Sequence, residues 1–272
     1  MEKGLLELIN DYRYSLAFSL SDELDIAGKT GCSLQEVEDA ALSQGVVPLR
    51  YQRNLGAISL QDQQRLLHAK VSVVGCGGLG GFIIEELARL GIGEISAWDY
   101  DYFQEHNLNR QLMSATRLIG SSKIEAAARQ VRRINPGITF NGIYRRFTGD
   151  EIDILEQQQV VIDALDNVPA RLELSDSCRK LGIPLVHGAV SNWYGQVTSQ
   201  FPGETTLEKI YKGKKNYRPD DRSVLVFTAA VTASLQVAEV IKILLDKGSI
   251  LRQKLLLIDM LAMTIDIIEI GG

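Results

Sequence analysis

The chain has little cysteine and little histidine. Cys32, Cys76 and Cys178 are an odd number spread far apart, with no C-x-x-C pair among them, which suits reduced thiols better than a disulfide framework. His68, His106 and His187 lie in unrelated segments, so no ligand set for zinc is present and none is expected. No uninterrupted apolar run of about 18 residues occurs, and the start has no charged stretch leading into an apolar one. Neither a membrane span nor secretion is indicated, and the expected compartment is the cytoplasm. No basic stripe exists and the net charge is −5, which argues against DNA as a partner. What is present is ordinary for a globular protein: 272 residues, 45% hydrophobic and 23% charged, enough for one large α/β domain and an appendage.

The acidity is concentrated. Residues 1–48 carry a net −6 and leave +1 for the remainder. Leu5, Leu6, Leu8, Ile9, Tyr12 and Leu16 have the spacing of one amphipathic helix, and Ser33-Leu34-Gln35-Glu36 reads as a capping box opening a second. With Thr30-Gly31 before the cap, the rhythm resembles a helix-turn-helix, but the charge speaks against DNA reading. The expectation is a helical flap on the main domain or on a second subunit. Arg50 and Arg53 follow, in the plain reading as solvated cations, and then a polar helix near 59–68.

From Val71 the pattern alternates. Val71-Ser72-Val73-Val74 is a short apolar strand and 82–90 has helical spacing, with Gly75, Gly77, Gly78, Gly80 and Gly81 between them. Gly75, Gly77 and Gly80 fit G-x-G-x-x-G, where missing side chains let the backbone approach a phosphate at a helix N-terminus. A second strand ends at Asp99, placed where a carboxylate can bind ribose hydroxyls in NAD and ATP alike. A helix over 121–134, a strand over 138–144, a short helix from Thr148, and a buried strand from Val160 that runs into Asp166 follow. Then come a helix over 168–181, strands at 183–188 and 195–201, a polar loop over 202–222, a long helix over 224–246, and a hairpin from two apolar runs ending at 270. This order predicts an α/β fold: a doubly wound, Rossmann-like, mostly parallel sheet with an antiparallel C-terminal part. The long loop is of the kind that serves as a lid or partner-binding segment. In the plain reading Cys76 packs inside its loop, Cys178 is core, and His187 is a hydrogen-bonded core histidine.

The glycines alone suit a dehydrogenase equally well. More specific are six blocks in order: Arg50-Tyr51-x-Arg53, the Gly75–Gly81 loop, Asp99-x-Asp101, Asn107-Leu108-Asn109-Arg110-Gln111, Gly120-x-x-Lys123 and Asp163-Ala164-Leu165-Asp166-Asn167. Over about residues 49–270 the chain resembles the ThiF/MoeB/HesA family, which is similar to ubiquitin-activating enzymes. The resemblance implies an ATP-binding adenylyltransferase domain at 49–272, with 1–48 as the appendage. The implied activity is activation of the C-terminal Gly-Gly carboxylate of a ubiquitin-like sulfur carrier protein, with release of pyrophosphate. It assigns Arg110 and Lys123 to the phosphates, Asp166 to Mg²⁺, and Arg53 to the site of a neighbouring subunit in a homodimer. Asp99 would hold the ribose, Asn107 and Gln111 would complete the pocket, and Asp101 would stand behind them.

The chain departs from the family pattern in lacking the C-x-x-C pairs of many members and in lacking a cysteine in 202–222, which favours adenylation over later sulfur chemistry. Alternatives are a cyclase that adenylates a tRNA carboxylate, an NAD-dependent dehydrogenase and a scaffold without turnover. The dehydrogenase reading leaves Arg110, Lys123 and Asp166 without a task. The closing Gly271-Gly272 matches the substrate ending, and chance or a frayed tail is its plain explanation.

Overall fold

A computed structural model describes residues 2–12, 18–149, 152–213 and 223–270. Its helices are α1 (Glu2–Asn10), α2 (Leu20–Thr30), α3 (Leu34–Ser43), α4 (Leu60–Leu67), α5 (Gly78–Leu90), α6 (Lys123–Ile134), α7 (Val168–Leu181), α8 (Thr206–Ile210) and α9 (Val226–Leu245). Its strands are β1 (Lys70–Val74), β2 (Glu94–Trp98), β3 (Thr139–Ile143), β4 (Val160–Asp163), β5 (Leu185–Ser191), β6 (Tyr194–Gln200), β7 (Lys254–Asp259) and β8 (Thr264–Glu269). They form one sheet in the order β3-β2-β1-β4-β5-β6-β7-β8. The pairs from β3 to β5 are parallel, and those from β5 to β8 antiparallel.

Central parallel strands must be apolar on both faces, and β1 and β4 are. Val71, Val73, Val160 and Ile162 face a core built with α5, α6 and α9, whereas Val74 and Val161 face a second core with α7 and α8. The period-2 alternation thus feeds two helical layers. Helix α9 is long and apolar enough in composition to cross a membrane, yet Thr228, Thr232, Gln236 and Glu239 on it are buried inside the protein and it packs on α5 and on β4 to β6.

At the N-terminus the structure has three helices where the sequence suggests two. Residues 20–30 hide their helix behind Asp22, Glu23 and Asp25; the Ser19/Asp22 capping box and the left-handed Gly31 set its ends. The Ser33/Glu36 box opens α3 as expected. Leu5, Ile9, Phe18, Ile26, Val37, Ala41 and Val46 make a small core of their own, and α3 lies against α4. Contrary to the expectation of a solvated cation, Arg50 is clamped. Its guanidinium meets Glu23 and Glu38 at 2.6 Å each, and both glutamates are fully buried. Tyr51 Oη donates to Glu38 (2.9 Å) and accepts from Asn135 Nδ2 (2.6 Å), which ties the appendage to the main sheet layer.

The stretch 202–222, expected as loop, contains α8, whose Leu207 is buried in the second core. The short helix expected from Thr148 is a 3-10 turn at Ile152–Leu155. Leu16, the 214–222 part of the long loop and Gly271-Gly272 lie outside the described residues.

Candidate nucleotide site

Strand β1 lies between β2 and β4, the point where successive connections diverge to opposite halves of the sheet. Ligands of open α/β sheets bind in the crevice at the carboxyl ends of strands at such a point. Here the glycine loop after β1 and the Ala164–Asn167 turn after β4 stand at those carboxyl ends.

Two loop glycines are required by contact. Gly75 has φ +103° and a Cβ there would lie 2.6 Å from Ala164 O; a Cβ on Gly80 would collide with Gly75 O. The loop is therefore pressed onto the β4 turn. Gly77 and Gly78 have a different role. The space a Cβ would take at Gly77 faces Gln111 Nε2 at 3.6 Å, and at Gly78 it faces Arg110 Cγ at 3.7 Å. Gly77 is the N-cap of α5, so free backbone N–H groups gather there.

Asp99, at the carboxyl end of β2, is buried and accepts from Cys76 N and Asp101 N at 2.8 Å each. Burial pushes its carboxyl up, against the opposing pull of Lys123 and the two backbone donors. Lys123 starts α6 with only 6% exposure and pairs with Asp101 at 3.0 Å. The buried Cys76 thiol is pushed well above its ordinary range by desolvation, which makes it packing. Cys178 is likewise buried.

Asn107 is buried, and its Oδ1 accepts from Gln104 N at 2.9 Å. Its carbonyl accepts from Arg110 N and Gln111 N, so Asn107 sets the turn that carries both. Arg110 Nη1 donates to Asn109 Oδ1 (2.8 Å) and His106 O (3.1 Å). Gln111 is 7% exposed and its Oε1 has no partner, a buried acceptor left open beside the glycine loop. Such an atom costs stability unless something donates to it.

Asp166 stands exposed after β4 and accepts from Asn167 Nδ2 at 3.3 Å; Asn167 Oδ1 in turn caps α7 through Ala170 N. Among the described residues no three His, Cys, Asp or Glu side chains cluster as a metal cage. Mg²⁺ does not ask for one, since it binds through one or two carboxylates, waters and substrate phosphates. An exposed carboxylate two residues beyond Ala164, which the glycine loop touches, fits that requirement. Arg53 is exposed on the segment before α4, away from the clamp that holds Arg50.

Sequence reasoning missed the buried group formed by Asp163, Arg171 and Tyr211 around His187. Tyr211 fell in the supposed loop, and no local pattern marks a partner 40 residues away.

A glycine loop at a helix start and, hydrogen-bonded to it, an acid at the end of the next strand define a nucleotide-binding protein of the doubly wound class. The chain belongs to the ThiF family, whose model matches residues 51–271. It is 35% identical over 224 residues to the SAMP-activating enzyme E1 of Haloferax volcanii, covering 80% of this chain and 83% of that one. It is 32% identical over 219 residues to the molybdopterin-synthase adenylyltransferase of Salmonella typhimurium, covering 78% and 88%. Against the adenylyltransferase and sulfurtransferase MOCS3 of Arabidopsis thaliana it is 32% identical over 242 residues, 85% of this chain but only 52% of that protein. The fold is shared with E. coli MccB solved with ATP, at TM-score 0.70 and 20% identity, over 98% of this chain and 87% of that one.

Proposed function

We propose that this chain is an ATP-dependent adenylyltransferase that activates the C-terminal carboxylate of a ubiquitin-like sulfur carrier protein. What supports this reading is that the glycine loop neighbours both the Arg110-Gln111 segment and Ala164, two residues before Asp166. Names of relatives, adenylyltransferases and an enzyme activating SAMP, point the same way.

A carboxylate oxygen of the carrier attacks the α-phosphorus of ATP; the new P–O bond forms the acyl adenylate as the bond to the β-phosphate breaks and pyrophosphate leaves. An anion approaching a polyanion needs fixed positive charge that strengthens as charge moves to the leaving group. Arg110 and Lys123 supply that charge, the N-terminus of α5 orients the phosphates, Asp99 receives the ribose, and Gln111 Oε1 takes a donor from the nucleotide. Asp166 would hold Mg²⁺, which neutralises charge on the departing phosphates. Asn107 acts by placing Arg110 and Gln111, and Asp101 by holding Lys123.

The carrier has an open apolar face to dock on: Leu261, Met263, Ile265 and Ile267 at the edge hairpin are all more than half exposed. Arg53 would serve a partner subunit's site in a homodimer. Residues 1–48 are a helical appendage docked on 49–272, the catalytic domain, and the compartment is the cytoplasm.

The test is ATP–pyrophosphate exchange with candidate carriers ending in Gly-Gly. Exchange requires the carrier and falls by about 100-fold or more in Arg110→Ala and Asp166→Ala, the size of loss seen on removing a group that stabilises transition-state charge. Equal exchange in those variants would overturn the assignment.

A further inference from the structure

The chain buries a closed polar ring that the adenylation chemistry does not use. Asp163 and His187 are completely buried, and Arg171 and Tyr211 are each 8% exposed. His187 Nδ1 lies 2.7 Å from Asp163 Oδ2. A carboxylate can only accept there, so Nδ1 carries the proton and Nε2 is left as acceptor. Tyr211 Oη stands 3.1 Å from Nε2 and donates to it. Its lone pairs accept from Arg171 Nη1 at 2.7 Å and from Gln196 Nε2 at 3.1 Å. Arg171 Nε is 4.0 Å from Asp163 Oδ2, which closes the ring.

The ring is linked to the turn before Asp166 through Leu165. Its N–H donates to Asp163 Oδ1 at 2.9 Å, and its carbonyl takes a fork from Arg171 Nε (3.1 Å) and Nη2 (2.6 Å). Both peptide groups of the residue directly before Asp166 are therefore held by side chains. On the other side, Gln236 Nε2 donates to the carbonyl of Asp163 at 2.9 Å, and Ala164 O rests against Gly75.

We propose that Arg171 and Tyr211 are positioning residues for Asp166, and that Tyr211 makes the placement of Asp166 depend on the seating of α8. Tyr211 directly follows α8 and is its C-cap, so a shift of 206–211 moves the acceptor that orients Arg171, and with it the carbonyl of Leu165. Helix α8 belongs to the stretch that crosses from β6 to α9 and is bound to the body by Leu207 and Tyr211 in the second core. Burial favours the neutral imidazole of His187, against the pull of Asp163, in agreement with the proton positions drawn above. This inference rests on the proposed ATP site for its consequence, but the mechanical link is independent of it.

The experiment uses the full chain, with Tyr211→Phe and Arg171→Lys. Phenylalanine keeps the ring packing and removes one hydroxyl; lysine keeps the charge but cannot span Leu165 O and Tyr211 Oη together. Amide hydrogen exchange at 164–167 is expected to speed up by about tenfold in either variant, as when the hold on the Leu165 carbonyl weakens by the worth of about one buried hydrogen bond. Affinity for a non-hydrolysable ATP analogue with Mg²⁺, by calorimetry, falls by about tenfold, while affinity for AMP stays within about twofold. Unchanged exchange at 164–167, or an equal fall for AMP, overturns the proposal. If one variant does not fold, the other decides. Should the wild-type chain bind no ATP analogue at all, the ATP reading falls, and the exchange at 164–167 alone then decides the link between α8 and the turn.

Discussion

Replacing Glu23 with glutamine is expected to strengthen the docking of the appendage, by an amount that grows as pH rises from 4.5 to about 7. Glu23 and Glu38 are both fully buried and share the single guanidinium of Arg50, and Glu23 Oε1 has no partner. Burial, offset only in part by Arg50, lifts the Glu23 carboxyl from 4.5 to about 7. A carboxyl raised on folding gives stability that is complete below its unfolded value and is lost as pH rises through the folded value. The rise corresponds to about 3 kcal/mol, or roughly a hundredfold in a local opening equilibrium. Glutamine has the shape of the neutral acid and does not titrate. Amide hydrogen exchange of α2, compared between Glu23→Gln and the wild-type chain at the same pH, reads the difference directly. The variant is expected to match the wild type at about pH 4, where the carboxyl holds its proton in both states, and to be up to a hundredfold better protected at about pH 8. The same ratio at both pH values, or weaker protection at about pH 8, would refute the reasoning that one cation cannot satisfy two buried carboxylates.

The glycine loop should separate contact from mere composition. Gly80→Ala places a methyl group against Gly75 O and is expected to lower stability by about 2 kcal/mol or more and abolish ATP binding; Gly78→Ala, with its nearest neighbour at 3.7 Å, should keep the melting temperature. Calorimetry with ATP and thermal melts check both. If Arg53 reaches a partner's site, mixing Arg53→Ala with Asp166→Ala protomers should restore part of the exchange activity, since one site of the mixed dimer then has both groups intact; no rescue in proven mixed dimers counts against that role.

Much of this protein can be read locally. The parallel core strands, the Gly75–Gly80 turn and the Ser33 capping box are short-range patterns, and each stands in the structure where it is expected. What escaped depends on distant partners. Helix α2 looks polar in sequence because Glu23 faces inward, and it can do so only because Arg50, in a later segment, meets it. Helix α8 has five residues, too few for periodicity, and is held by Leu207 in the second core. At the site, the residue types and their order are what the resemblance rests on, and the phosphate, ribose and metal roles it implies are the proposal made above. The reason Gly75 and Gly80 must be glycine is Ala164 and the loop's own carbonyl, and that is tertiary. His187 was readable as a hydrogen-bonded core histidine, yet its partners Asp163 and Tyr211 come together only through the sheet order and α8.

The most direct test of the central claim is transfer of AMP from labelled ATP to a ubiquitin-like carrier ending in Gly-Gly, measured beside the same carrier lacking its last glycine. The account predicts a labelled acyl adenylate and released pyrophosphate with the intact carrier alone. Absence of adenylate with every carrier tried, together with binding of NAD at the glycine loop, would contradict it.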